Sequence, residues 1–74
     1  MLRPKLRRDL LSRNLSLIQG RRSGAEMAAI IGAKSHATYD ARKRDPMSLT
    51  LREVYALCDD MDIPAEKFLT KELL

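Results

Sequence analysis

The side chains with the chemistry to hold a charged ligand are crowded into the first forty-four positions. Arg42-Lys43-Arg44 stand side by side, Arg21-Arg22 form a second basic pair, and Arg3, Lys5, Arg7, Arg8, Arg13 and Lys34 bring the Lys/Arg count from Met1 to Arg44 to eleven. Only Asp9, Glu26 and Asp40 oppose them, so this part carries +8. From Asp45 to Leu74 three bases face seven acids, a balance of −4, and the whole chain stands at +4. A polyanion is therefore drawn to the first part and turned away by the second. The plainer alternative is that these cations only solvate helix surfaces.

Other kinds of chemistry find less to stand on. His36 and Asp40 are spaced for one exposed helix, with no buried group to orient them, and Glu53, Asp59 and Asp60 lie along another helix surface. Neither set has the paired geometry that general acid–base work needs, so no enzyme and no small-molecule substrate are expected. Cys58 is the single cysteine and His36 the single histidine. That rules out a disulfide within the chain and leaves no ligand set for zinc, and no cofactor is expected. The free thiol suits a reducing compartment, and Cys58 reads most simply as a core residue.

Seventy-four residues make one domain, 1–74, with a modest core. No apolar run is longer than that at Met27-Ala28-Ala29-Ile30-Ile31, far below the ~20 residues of a membrane span. Met1-Leu2-Arg3-Pro4-Lys5 is basic but precedes no secretory-type apolar stretch. The expectation is a cytoplasmic protein with no membrane partner.

The apolar periods and capping signals that must position the basic residues predict five helices and no strand. Leu6, Leu10 and Leu17, with Leu11, Leu15 and Ile18 beside them, recur on a helical period between Pro4, suited to a first turn, and the stop at Gly20. Ser23-Gly24-Ala25-Glu26 fits a capping box, in which the serine oxygen accepts from the Glu26 amide and the glutamate reaches back to the Ser23 amide. A short helix then carries Met27, Ala28, Ile30 and Ile31 to Gly32, where a tight stop needs a left-handed residue. Lys34 or Ser35 opens a third helix that ends at about Arg44, because Pro46 disfavours helix at Asp45. Thr50-Leu51-Arg52-Glu53 is a second capping box, with Leu49 and Val54 at the staple positions. Leu51, Val54, Leu57, Cys58 and Met61 form the inner stripe of this fourth helix. Pro64 suits the start of the fifth, whose inner face is Phe68, Leu69 and Leu73.

One arrangement among these has functional weight. Met27-Ala28, then Ile31-Gly32, then a polar helix closing on Arg42-Lys43-Arg44 has the order a helix-turn-helix requires. Two helices pack steeply across a short turn, Ala28 permits close approach, Gly32 makes the turn, and residues 27 and 31 anchor the first helix. The second helix is then free to present polar side chains to base edges.

These residues resemble the Cro-and-repressor-type (XRE-like) helix-turn-helix family of phage and bacterial regulators. The resemblance covers roughly Leu6 to Leu69. It is closest to phage-type members whose recognition helix reads Ala-Thr-Tyr, then Arg, then a basic residue, Asn or Asp, and Pro. Here that stretch is Ala37-Thr38-Tyr39, Arg42, Arg44 and Asp45-Pro46, followed by Leu49-Thr50-Leu51, and Met61-Asp62-Ile63-Pro64-Ala65-Glu66-Lys67-Phe68 is similar to the subgroup's ending. Two departures stand out: the Gly20–Ser23 loop is long, and Gly32–Thr38 is one residue longer than the subgroup's turn, which leaves the register of the third helix open by one residue.

The resemblance implies an all-α, five-helix lambda-repressor-like domain. It implies a sequence-specific transcriptional regulator that reads the major groove of an operator with helix 34–44, as a homodimer. By family position, Lys34, Ser35, His36 and Asp40 face bases, and Tyr39 faces either DNA or the core. Lys donates to guanine O6 and N7, Asp accepts from cytosine N4, Ser does either, and His depends on its proton. Phosphate contacts fall to Arg42, Lys43 and Arg44 at the helix end and to Arg21, Arg22 and Ser23 before the second helix, whose first amides favour an anion. Arg42 has a second reading as the partner of Asp9. The fifth helix and Leu73-Leu74 are the expected dimer surface. Two other readings keep the fold: a protein-interaction module, motivated by the acidic last thirty residues and their leucines, and an antitoxin-like regulator that binds DNA and a toxin.

Overall fold

The computed structural model describes residues 7–73. Within them the chain forms α1 (Arg8–Gln19), α2 (Gly24–Ile30), α3 (His36–Arg44), α4 (Leu51–Met61) and α5 (Ala65–Thr70), with a short 3₁₀ helix at Pro46–Ser48 and no strand among the described residues. No described helix is long and apolar enough to cross a membrane.

Each boundary has a local cause. The expected start of the first helix at Pro4, and its Leu6, lie outside the described residues, within which α1 begins at Arg8 after an extended Arg7. Gly20 stops it at φ 55°. Both capping boxes are formed: Ser23 Oγ accepts from the Glu26 amide at 3.1 Å, and Thr50 Oγ1 accepts from the Glu53 amide at 3.1 Å. Each such cap contributes about 1 kcal/mol. The third helix begins at His36 with Ser35 as its N-cap, so Lys34 and Ser35 belong to the turn. Pro46 ends it as expected, but its fixed φ also starts the 3₁₀ turn, which the helical periods did not signal. At Asp62 the chain takes a left-handed conformation (φ 55°), closing α4 without a glycine.

The core is one cluster drawn from α1 to α5: Leu11, Leu15 and Ile18, then Met27, Ala28 and Ile31, then Tyr39, then Val54, Leu57 and Cys58, and finally Phe68. A fully buried side chain of this kind contributes about 1.5–3 kcal/mol. Asn14 lies wholly buried among them yet satisfied. Its Nδ2 donates to the carbonyls of Phe68 and Lys71, both at 2.8 Å, and its Oδ1 accepts from the Leu73 amide at 3.3 Å. This amide holds the end of α5 and the residue that follows it against α1.

Two expectations for α4 are corrected. Leu51 and Met61 stand at the ends of the helical stripe and are exposed, whereas Val54, Leu57 and Cys58 fill its middle. The stripe is wider than the neighbouring surface that covers it.

Candidate nucleic-acid interface

The link from α2 to α3 is set by backbone hydrogen bonds. The Ala33 amide donates to the Ala28 carbonyl at 2.9 Å and the Gly32 amide to that of Ala29 at 3.2 Å. This paired pattern closes a helix end when the residue after the cap is left-handed, and Gly32 has φ 76°. The chain then runs through Lys34 and Ser35, both exposed, into α3.

Two contacts fix the inner side of α3. The Tyr39 ring is fully buried, and its hydroxyl donates to Gln19 Oε1 at 2.7 Å. Burial raises its pKa, since the phenolate would lose hydration there. One turn on, Arg42 Nε donates to Glu53 Oε1 at 2.9 Å, a pair with side chains only 27% and 11% exposed. The same Glu53 oxygen accepts the Thr50 amide, so α3 is tied to the cap of α4.

With that side fixed, the opposite side is exposed: His36, Ala37, Asp40, Lys43 and Arg44. His36, Asp40 and Arg44 are spaced four apart and form one stripe along the helix. The start of α2 lies beside it, because a Cβ built on Gly24 would stand 3.5 Å from Asp40 Oδ1 and 3.8 Å from the His36 Cβ. The Arg44 carbonyl accepts from the Arg8 guanidinium at 2.8 Å, which leaves a cation at the C-terminal end of the α3 dipole.

Three of the expected contact residues are therefore reassigned. Tyr39 belongs to the core and cannot reach a base edge. Arg42 is taken by Glu53 rather than by Asp9, which instead pairs with Arg7 at 2.9 Å. The Arg7 hydrogen bond, with a smaller charge attraction, lowers the Asp9 pKa. Arg22 turns inward: it donates to the Ile18 carbonyl at 2.6 Å and pairs with Asp60 of α4. Among the cations named for phosphate, Arg21, Lys43 and Arg44 remain exposed. Ser23 is exposed, with its hydroxyl engaged in the α2 cap.

The sequence reading missed three residues that support this surface: Gln19, Arg8 and Glu53. Gln19 also donates from Nε2 to the Arg22 carbonyl at 2.8 Å, joining the α1–α2 loop to α3 through one amide. Nothing local distinguishes Gln19 or Arg8 from solvated polar residues. Glu53 did carry a signal, because its place in a capping box puts a carboxylate close to the end of α3. The chain matches no known family model, no curated protein and no solved structure.

Proposed function

We propose that this chain is a sequence-specific double-stranded-DNA-binding regulator of the phage Cro/repressor helix-turn-helix type. In this reading the five helices form a lambda-repressor-like domain, and α3 lies in the major groove, which is about 12 Å wide and admits a helix. The observation that carries the reading is the His36–Asp40–Arg44 stripe, exposed on a helix whose other side is held by Tyr39 and Arg42. A polar rod on a rigid seat, in the part of the chain that bears +8, is what a groove reader needs.

The roles follow from the side chains that stay available. Lys34 donates to guanine, Asp40 accepts from cytosine N4, and Ser35 and His36 donate or accept. Arg21, Lys43 and Arg44 hold phosphates and set register. With Arg22 and Arg42 committed inside the protein, the salt dependence is gentler than the full cation count suggests. Three phosphate contacts per copy give a log–log slope of about −2.7. So small a reader makes few base contacts, and two copies on a palindromic site, with half-sites ~34 Å apart, supply the rest.

Binding to operator-length duplexes in excess competitor DNA tests the reading. Replacing Lys34, His36 and Arg44 together with alanine abolishes the specific complex while the fold is kept. Equal affinity for every sequence would contradict the regulator, and no binding at low salt would contradict DNA as the ligand.

A further inference from the structure

The expected dimer surface on α5 has no exposed large apolar side chain to offer: Phe68 is buried, Leu69 and Leu73 are half-buried, and Leu74 lies outside the described residues. The exposed large apolar side chains among the described residues are Met47, Leu51, Tyr55 and Met61. Two of these, Leu51 at 67% and Tyr55 at 56%, occupy the first two turns of α4.

We infer that α4 is a self-association surface, on which a second copy of this chain packs antiparallel through Arg52, Tyr55, Ala56 and Asp59. Those four positions follow the i, i+3, i+4, i+7 spacing of a helix-packing face, with Leu51 on its edge. Arg52, Tyr55 and Asp59 are exposed and Ala56 is half-buried. Neither Arg52 nor Asp59 has an ion-pair partner among the described residues.

A second copy fits this face because the face is complementary to itself. A two-fold axis between positions 55 and 56 sets Arg52 of each copy opposite Asp59 of the other, and Tyr55 opposite the small Ala56. Beside Ala56 an open groove of about 630 Å³, lined by Ile30, Ile31, Gly32 and Arg52 among others, has room for the incoming ring. The charges also lie at the wrong ends for an isolated helix. Arg52 is in the first turn, where the dipole is positive, and Asp59 and Asp60 are in the last, which holds no base. Antiparallel pairing brings each charge to the opposite pole of the partner helix. The inference deepens the DNA-binding reading, which calls for two copies, but it is measured without DNA, so either can fail alone.

Sedimentation of the full chain from about 1 to 500 µM, the range for a small interface, provides the test. The wild type associates reversibly to a dimer. Arg52→Asp and Asp59→Arg each weaken it about tenfold or more, because each places two like-charge contacts across the axis. Both substitutions suit the helix dipole, and circular dichroism verifies that α4 is intact. An equimolar mixture of the two variants regains dimer, since every cross-axis contact is then attractive, and the double variant does the same. A wild type that stays monomeric, a dimer indifferent to both single changes, or single variants that do not rescue each other would each overturn the assignment.

Discussion

The Tyr39 hydroxyl donates to Gln19 Oε1 at 2.7 Å, and this one bond joins the inward side of α3 to the last turn of α1. Because Gln19 also holds the Arg22 carbonyl, the orientation of α3 and the path of the Gly20–Ser23 loop depend on the same amide. Tyr39→Phe keeps the buried ring and removes the bond. It lowers stability by about 0.5–1.5 kcal/mol. For a domain of this size that is a fall in Tm of about 4–8 °C per kcal/mol. Tyr39→Ala removes the ring as well and costs about 3–5 kcal/mol, enough to unfold much of the population.

Arg42 and Arg44 are two residues apart, yet of the two only Arg42 has a carboxylate partner among the described residues. Arg42→Ala breaks a largely buried pair with Glu53 and lowers stability by about 1–2 kcal/mol, while the salt slope of DNA binding stays unchanged. Arg44→Ala leaves stability within about 0.5 kcal/mol of wild type. On the DNA-binding reading it reduces the salt slope by about 1 for each copy bound. Thermal melts and binding isotherms at several salt concentrations separate the two.

Gly32 stands at φ 76° with open space where a Cβ would be. Its substitution therefore tests backbone conformation alone. Gly32→Ala costs about 1–2 kcal/mol through left-handed strain, and Gly32→Asn costs less, because asparagine tolerates that region. Chemical denaturation of the three proteins gives the order.

Burial raises the pKa of the Cys58 thiol above its ordinary 9.0 and that of the Tyr39 hydroxyl above its ordinary 10.0. The folded state therefore prefers both groups neutral. Their contribution to stability is fully present below the unfolded values and is lost as pH rises through the raised ones, Cys58 first. Urea midpoints hold steady from about pH 7 to 9 and fall above that. Cys58→Ala removes the earlier part of the fall. Native Cys58 also reacts slowly with thiol reagents at neutral pH, at a rate set by opening of the core.

How much of this was legible in the sequence depends on how far apart the deciding residues lie. The two capping boxes and the Gly32 stop each involve a few neighbouring residues, and all three were readable. The all-helical class followed from the periods those signals bound. Tyr39 was ambiguous because a ring with a polar tip suits a core or a surface equally well. Its neighbour Gln19, twenty residues earlier, settles it. Arg22 read as a free cation, and Arg42 as either a phosphate contact or a partner of Asp9, because their actual carboxylate partners, Asp60 and Glu53, lie 38 and 11 residues away. Leu51 and Met61 satisfied the helical stripe but stand at its two ends, where the other helices leave them exposed, which no local pattern encodes.

Selection of bound duplexes from a random-sequence pool, with the full chain at moderate salt, tests most directly whether the outward stripe of α3 reads DNA. The enriched sequences should converge on a palindrome with half-sites about ten base pairs apart. Asp40→Asn should relax the preference at one symmetric pair of positions, where cytosine is otherwise required. A pool that remains random, or a motif unmoved by substitutions at Lys34, His36 and Asp40, would contradict the account.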